Sequence, residues 1–498
     1  MTNVDGRAPR RVGIIGAGAG GICTGIRLLE RGVDWFTMFE RAPGVGGTWF
    51  HNTYPGLACD IPSALYSFSF EPKCDWSRPY GTQAEICDYL EHCVARYGLR
   101  PHLRLGTAVT AARWDDDAMV WRVTTEGPEP GRTDEHELDV LVAGVGMFGD
   151  LHIPEIPGLD EFTGTMFHSA RWNHDHDLAR ERVAVIGSAG SAVQFVPEIA
   201  PLVEQLHVFQ RSPEWVMPKE DDPYTAEQLE AFRTRPEVLT AMRREIFERI
   251  DPNLTFSNPA RRSEMEGLCR QNLALVEDPE LRAKLTPDFP HGCKRPLIAN
   301  DWYPTFNRDN VELVTDPIER IAPDRVVTVD GTHRPVDTII LATGFQTTRF
   351  LSTIEVTGRG GTRLADAWRD GAQAYLGIVT AGFPNLFMLY GPNTNNGSII
   401  FMIEQQVGYT MRQIARLDDE GLAWIDVRPE VMATYNEAIQ RDLDGVEVWN
   451  ASCNNYYRGP SGRIVTQWPH SMSEYEARCA APDDDAYEMW PAQAVPVD

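Results

Sequence analysis

Short apolar runs of strand length alternate with glycine turns and with stretches of helical periodicity along most of this chain. Residues 11–15 form one such run, leading into Gly16-Ala17-Gly18-Ala19-Gly20-Gly21 and then an apolar-periodic segment through Leu29. That order predicts a buried strand, a tight turn and a helix, the G-x-G-x-x-G arrangement of a dinucleotide-binding βαβ unit. Gly16 permits the turn, Gly18 lets a pyrophosphate approach the backbone beside Ala19, and Gly21 lets helix and strand pack closely. A second predicted strand, 35–39, ends at Glu40, whose carboxylate can accept hydrogen bonds from ribose hydroxyls. The pattern then recurs. A run over 182–186 leads into Gly187-Ser188-Ala189-Gly190-Ser191-Ala192 and a helix carrying Gln194, with Ala189 in the place of the middle glycine.

The two copies differ informatively in register. Glu40 lies 24 residues after Gly16, and Arg211 lies 24 residues after Gly187. Exchanging a ribose-binding carboxylate for a guanidinium is what a 2′-phosphate requires; a solvated loop arginine is the alternative reading. The expected fold class is therefore α/β, with two Rossmann-like dinucleotide-binding domains. Two such sites in one chain imply electron transfer between two cofactors, FAD and NADPH being the expected pair.

Other segments complete the organisation. From about 222 to 287 the chain is polar and helix-patterned, with Leu229, Phe232, Leu239, Met242 and Phe247 recurring, which predicts a helical insertion in the second nucleotide domain. The apolar runs 139–146 and 337–345 both read as returns to the first sheet. The boundaries expected are 1–150 for the first part of the FAD domain, 151–335 for the NADP domain and 336–498 for the second part with the C-terminal region. Asp115-Asp116-Asp117 and His174-Asp175-His176-Asp177 read as solvated turns, and no metal site is expected.

Composition narrows the partners. Subtracting 72 acidic from 46 basic side chains leaves −26, a field that repels nucleic acid and anionic membranes. No stretch approaches the ~18 apolar residues of a membrane span, and the glycine-interrupted start lacks a convincing cleavage site, so the chain is expected in the cytoplasm. The nine cysteines never form C-x-x-C and are expected to be buried or inert thiols rather than a disulfide scaffold.

Longer motifs add specificity. Phe162-Thr163-Gly164-Thr165-Met166-Phe167-His168-Ser169-Ala170-Arg171-Trp172-Asn173 resembles the F-x-G-x-x-x-H-x-x-x-W-[P/D] signature of type I Baeyer–Villiger flavin monooxygenases, departing at Asn173. The stretch from Gly46 to Asp60 is similar to that family's [A/G]-G-x-W-x-x-x-x-[F/Y]-P-[G/M]-x-x-x-D pattern throughout, and Gly292-Cys293-Lys294-Arg295-Pro296 resembles the segment that carries its catalytic arginine. Ala342-Thr343-Gly344-Phe345 is also similar, although Gln346 replaces a common Asp, and Asn455-Tyr456-Tyr457 stands where relatives often have S-W-Y.

The resemblance implies an FAD-containing, NADPH- and O2-dependent enzyme that converts a ketone to an ester or lactone through a C4a-peroxyflavin. It implies Arg295 and Asp60 as catalytic residues. Thr48, Trp49, Asp60, Tyr66 and Val109 are implied in the flavin pocket beside the first glycine turn. Ser188, Gly190, Ser191, Gln194, Arg211, Lys294 and Arg295 are implied at the second site. His168 is expected to be a hydrogen-bonded hinge residue and not a general base. The alternative activity is N- or S-oxidation of a nucleophilic substrate, and a flavin-binding regulatory module is a third reading. Neither the ketone nor the oligomeric state is legible.

Overall fold

The structure is a computed structural model that describes residues 9–129, 131–453 and 455–492. Two all-parallel five-stranded sheets organise it. The first has the order Leu386–Met388, Val140–Ala143, Val12–Ile15, Phe36–Phe39, Leu103–Arg104. Its central strands are buried along their whole length, as expected of apolar runs covered on both faces. Helix Ala19–Glu30 packs over it and against the long helix Ile399–Asp419. The second sheet has the order Val311–Val314, Gln205–Phe209, Arg182–Ile186, Thr338–Leu341, Thr165–His168.

Strand Val140–Ala143 lies in the first sheet, but Thr338–Leu341 does not return there as expected. It sits in the second sheet between Arg182–Ile186 and the edge strand Thr165–His168. A short apolar run followed by a glycine turn carries no label for either sheet. An ion pair supplies one: Arg182 donates from its backbone N and its guanidinium to Asp337 at 2.6–3.0 Å. The same device joins Arg11 to Asp139 in the first sheet, at 2.7–3.3 Å. The chain returns to the first unit only after Leu341, where the two crossings pair with each other. His152 N donates to Gly344 O at 2.9 Å, and Gln346 N to Asp150 O at 2.9 Å.

The helical insertion comprises Ala226–Thr234, Pro236–Ile250, Pro259–Leu273 and Pro279–Lys284. Although it departs from the second sheet, it packs on the first unit, where Leu239 and Ile246 join the main hydrophobic core. Arg243 donates to the carbonyls of Ala64 and Ser67, each at 2.9 Å, and Asp251 accepts from Met472 N at 2.6 Å. The insertion is thus a cap that fastens the two units together.

Asp115 closes the expected hairpin, accepting from Asp117 N and Ala118 N at 3.1 and 3.0 Å. His174 and His176 point to different partners, Thr53 at 2.8 Å and Glu181 at 3.0 Å. Among the described residues no helix is long and apolar enough to cross a membrane. The expectation of unpaired thiols throughout is corrected at one place: Cys293 and Cys453, 160 residues apart, form a disulfide, while the other seven cysteines are free. Spacing could not show this, because the pairing depends on two distant loops meeting.

Candidate active site

Both glycine turns sit at the C-terminal ends of central strands, where parallel sheets present their ligand crevices. In the first, a Cβ on Gly21 would lie 1.9 Å from Gly16 O, so helix and turn approach as only glycine allows. Gly18 faces a second bare turn: a Cβ on Gly47 would come within 3.0 Å of Gly18 Cα. Two stretches of side-chain-free backbone therefore meet at the start of helix Ala19–Glu30, whose first turn has no side-chain cap. Such a cradle of free N–H groups fits a diphosphate. Glu40 is buried behind it, accepting from Ala17 N at 2.8 Å and Ala42 N at 2.7 Å, so it braces the turn. Val109 is buried nearby in strand Ala108–Asp115, just beyond Thr107, whose N donates to Glu40 O at 2.8 Å.

Thr48 and Trp49 open the single helical turn Thr48–His51. Trp49 Nε1 donates to Tyr66 Oη at 3.2 Å, and the rings meet edge to face. The motif then runs onto the second unit. Gly56 adopts φ +75°, and a Cβ there would strike Gln194 O at 2.7 Å. Gln194 Oε1 accepts from Ala58 N at 2.8 Å, while its Nε2 donates to Gly190 O at 3.3 Å.

The second turn repeats the geometry at Gly187, φ +114°, with the carbonyl of Ala342 closing behind it. Ser188 is buried, whereas a Cβ on Gly190 would meet only Leu297, at 3.9 Å, leaving that side open. Ser191 precedes helix Ala192–Ile199 without capping it. Arg211 is exposed just past strand Gln205–Phe209. Lys294 lies beside the same segment, its Nζ donating to Ser212 Oγ at 2.6 Å, Pro213 O at 3.2 Å and Glu214 Oε1 at 2.9 Å.

Arg295 follows Lys294 and reaches across to the other unit, where its Nη2 donates to Asp60 Oδ2. The side chains keep 41% and 31% of their surface open, so the pair faces the crevice between the units and not a sealed core. Asp60 foremost raises the Arg295 guanidinium well above its ordinary pKa, so the cation is permanent. Phenols surround it. Burial pushes Tyr54 up to about 12 and Tyr66, Tyr390 and Tyr457 further still, so all stay neutral near pH 7. Tyr390 holds a left-handed backbone, φ +57°, a strained conformation fixed by Gln406 Oε1 on its N and Asn395 Oδ1 on its hydroxyl, each at 2.7 Å. Asn455 Nδ2 donates to Cys293 O at 3.1 Å, so the disulfide and this bond together bring the loop of Tyr456 and Tyr457 against the Lys294–Arg295 segment.

His168 ends the edge strand at the crossing, buried, with Nδ1 accepting from Ala170 N at 3.1 Å and its ring edge-on to Phe345. Burial lowers its pKa to about 4, leaving a neutral ring at physiological pH. Trp172 of the same signature packs on Phe195 at 5.2 Å, and Phe195 on Tyr54 at 6.0 Å. This aromatic chain linking the two motifs, the phenols Tyr54 and Tyr390, and Arg243 of the cap were not identified from sequence. The spacing of Tyr54 within its motif was the available signal for the first; the others depend on tertiary placement.

Residues 9–253 match the FMO-like family, described as flavin-binding monooxygenase-like. The chain is 39% identical over 487 residues to a Baeyer-Villiger monooxygenase of Streptomyces coelicolor, covering 96% of this chain and 92% of the relative. It is 38% identical over 486 residues to one of Pseudomonas aeruginosa, covering 96% and 91%. Among solved structures, an oxidized steroid monooxygenase bound to NADP superposes with a TM-score of 0.84 at 33% identity, covering 97% of this chain and all of that one. The OTEMO complex with FAD and NADP gives 0.87 at 27% identity, with the same coverage. The chain belongs to the Baeyer–Villiger monooxygenases of the flavin-binding monooxygenase-like family.

Proposed function

We propose that this chain uses NADPH and O2 to insert one oxygen atom beside a ketone carbonyl, giving an ester or lactone, with FAD on the first glycine turn and NADPH on the second. The observation that carries the reading is the Arg295–Asp60 pair, which joins the motif of one nucleotide unit to a loop of the other at the crevice between them. Gly16, Gly18, Ala19 and Gly21 would hold the flavin diphosphate, Glu40 and Val109 its adenosine end, and Thr48, Trp49, Asp60 and Tyr66 the ring. Gly187, Ser188, Gly190, Ser191 and Gln194 would hold the nicotinamide dinucleotide diphosphate, with Arg211 and Lys294 on the 2′-phosphate.

Bound FAD supplies hydride acceptance and oxygen activation, chemistry that no side chain offers. The protein's own contribution is electrostatic. Attack on a ketone develops negative charge on the carbonyl oxygen, and a guanidinium stabilises it without giving up a proton. Asp60 aims Arg295 and keeps a partly buried cation partnered. The neutral phenols of Tyr54, Tyr66, Tyr390 and Tyr457 add no competing charge. The seven free thiols favour a reducing compartment, the cytoplasm, whereas the Cys293–Cys453 disulfide is a bond that such a compartment would open.

A panel of linear, cyclic and aryl ketones incubated with the purified yellow protein and NADPH in air tests the reading. Products heavier by one oxygen atom are expected. NADPH oxidation with no ester from any ketone, but with an S-oxide from a thioether, would replace it with the N- or S-oxidising activity.

A further inference from the structure

Among the described residues Glu214 is the one acidic side chain that pairs with Lys294, and the proposed reaction gives it no role. The Lys294 ammonium has three N–H donors, and all three are occupied: Ser212 Oγ, Pro213 O and Glu214 Oε1. Lys294 and Glu214 keep only 10% and 11% of their side-chain surface. A phosphate arriving beside Arg211 must take over one of those three donors. The Ser212 hydroxyl and the Pro213 carbonyl are neutral and can stay as neighbours, whereas an ionised Glu214 both holds the lysine and repels the incoming dianion.

We infer that Glu214 sets how strongly the second nucleotide site discriminates for a 2′-phosphate, by competing with that phosphate for Lys294. This rests on the assignment of Arg211 and Lys294 to the 2′-phosphate. The competition is under proton control, because burial, only partly offset by Lys294 and Arg211, raises the Glu214 carboxyl to about 7. The groups facing it are few. Lys294 comes from the loop before Arg295 and Arg211 from its own loop, while Tyr303 and Tyr457 are phenols raised by burial and neutral throughout this range. Tyr303 Oη also donates to the Glu214 carbonyl at 3.2 Å, which fixes the backbone while the carboxyl is left to titrate. Above about pH 7 Glu214 is ionised and competes; below it the acid is neutral and Lys294 is released to the phosphate. The phosphate's own second ionisation near pH ~6 weakens binding in acid for every variant alike, so the effect is read as a ratio between proteins at one pH.

Calorimetric titration of the FAD-loaded protein with NADP+ and with NAD+, at pH 6 and pH 8, tests this. Glu214→Gln is expected to tighten NADP+ by about fivefold at pH 8 and by under about twofold at pH 6, leaving NAD+ unchanged at both. Glu214→Met, which cannot bind Lys294 through an amide, should do the same and serves if the Gln protein loses FAD. NADP+ affinity that is unchanged or weaker at pH 8 in both variants, or equal tightening of NAD+, overturns the inference. Arg211→Ala in the same series separates the two levels. If it weakens NADP+ selectively while the Glu214 variants do nothing, the phosphate site stands and the role of Glu214 falls. If it weakens neither nucleotide selectively, the phosphate assignment itself falls.

Discussion

The two glycine turns share a backbone plan and differ in how they are finished. The first is closed: Glu40 is buried with both carboxylate oxygens on backbone N–H groups, and a second bare turn at Gly47 faces Gly18. The second is open, with Gly190 nearly free of neighbours, Arg211 exposed and Lys294 held by displaceable partners. The first resembles a permanent seat and the second a site for something that comes and goes. A carboxylate braced in the core suits a resident flavin, and an exposed arginine beside a lysine whose partners can be exchanged suits a coenzyme that binds and leaves. Between them, Arg295 and Asp60 form an ion pair whose members come one from each unit's motif.

Breaking that central pair should have the largest effect. Arg295→Ala is expected to retain FAD and still oxidise NADPH, but to lose ester formation by about 100-fold or more, with oxygen appearing as hydrogen peroxide. Product chromatography alongside a peroxide assay checks this. Breaking the asymmetry comes next: Arg211→Ala should raise the KM for NADPH by about 10- to 150-fold, the worth of a charge-assisted contact, with little change for NADH. Equal loss with both nucleotides would remove the distinction between the turns.

A smaller effect is expected at the crossing that joins the two regions. His168→Asn should slow turnover by about tenfold without abolishing a titration near neutrality, because the native ring is already neutral there. It should also change acid stability. The folded pKa of about 4 lies below the usual value of 6.5, so the unfolded chain binds more protons between those limits and stability falls as pH drops through that window. Thermal melts from pH 7 to pH 4 should show a shallower decline for His168→Asn. The smallest effect is at the cap: Arg243→Met removes bonds to the carbonyls of Ala64 and Ser67 on either side of Tyr66 and should lower the melting temperature by about 2–4 °C. Differential scanning fluorimetry would show it, and FAD release on dilution should quicken.

Much of the fold was legible because each glycine turn, with its flanking strand and helix, is a local pattern. The Glu40 and Arg211 register was equally local. The strand Thr338–Leu341 was not, since its apolar run suits either sheet; the informative signal was the repeated pairing of Arg11 with Asp139 and Arg182 with Asp337. For the site, the motif residues reached the crevice, yet Lys294 could be given its neighbours only by the fold. Glu214 stands 80 residues before Lys294, and Cys453 stands 160 after Cys293. Such partners meet only through tertiary structure, and a single sequence offers no spacing rule for them.

The most direct measurement of the two-site reading is a turnover under ¹⁸O2 with NADPH, a ketone and a thioether present together, followed by mass spectrometry of all products. One ¹⁸O per ester, with NADPH consumed in step with the ester and sulfoxide formed together and ester formation lost in the Arg295→Ala protein, is the expected result. Ester free of ¹⁸O, or ¹⁸O found only in the sulfoxide while the ketone is recovered unchanged, would contradict it.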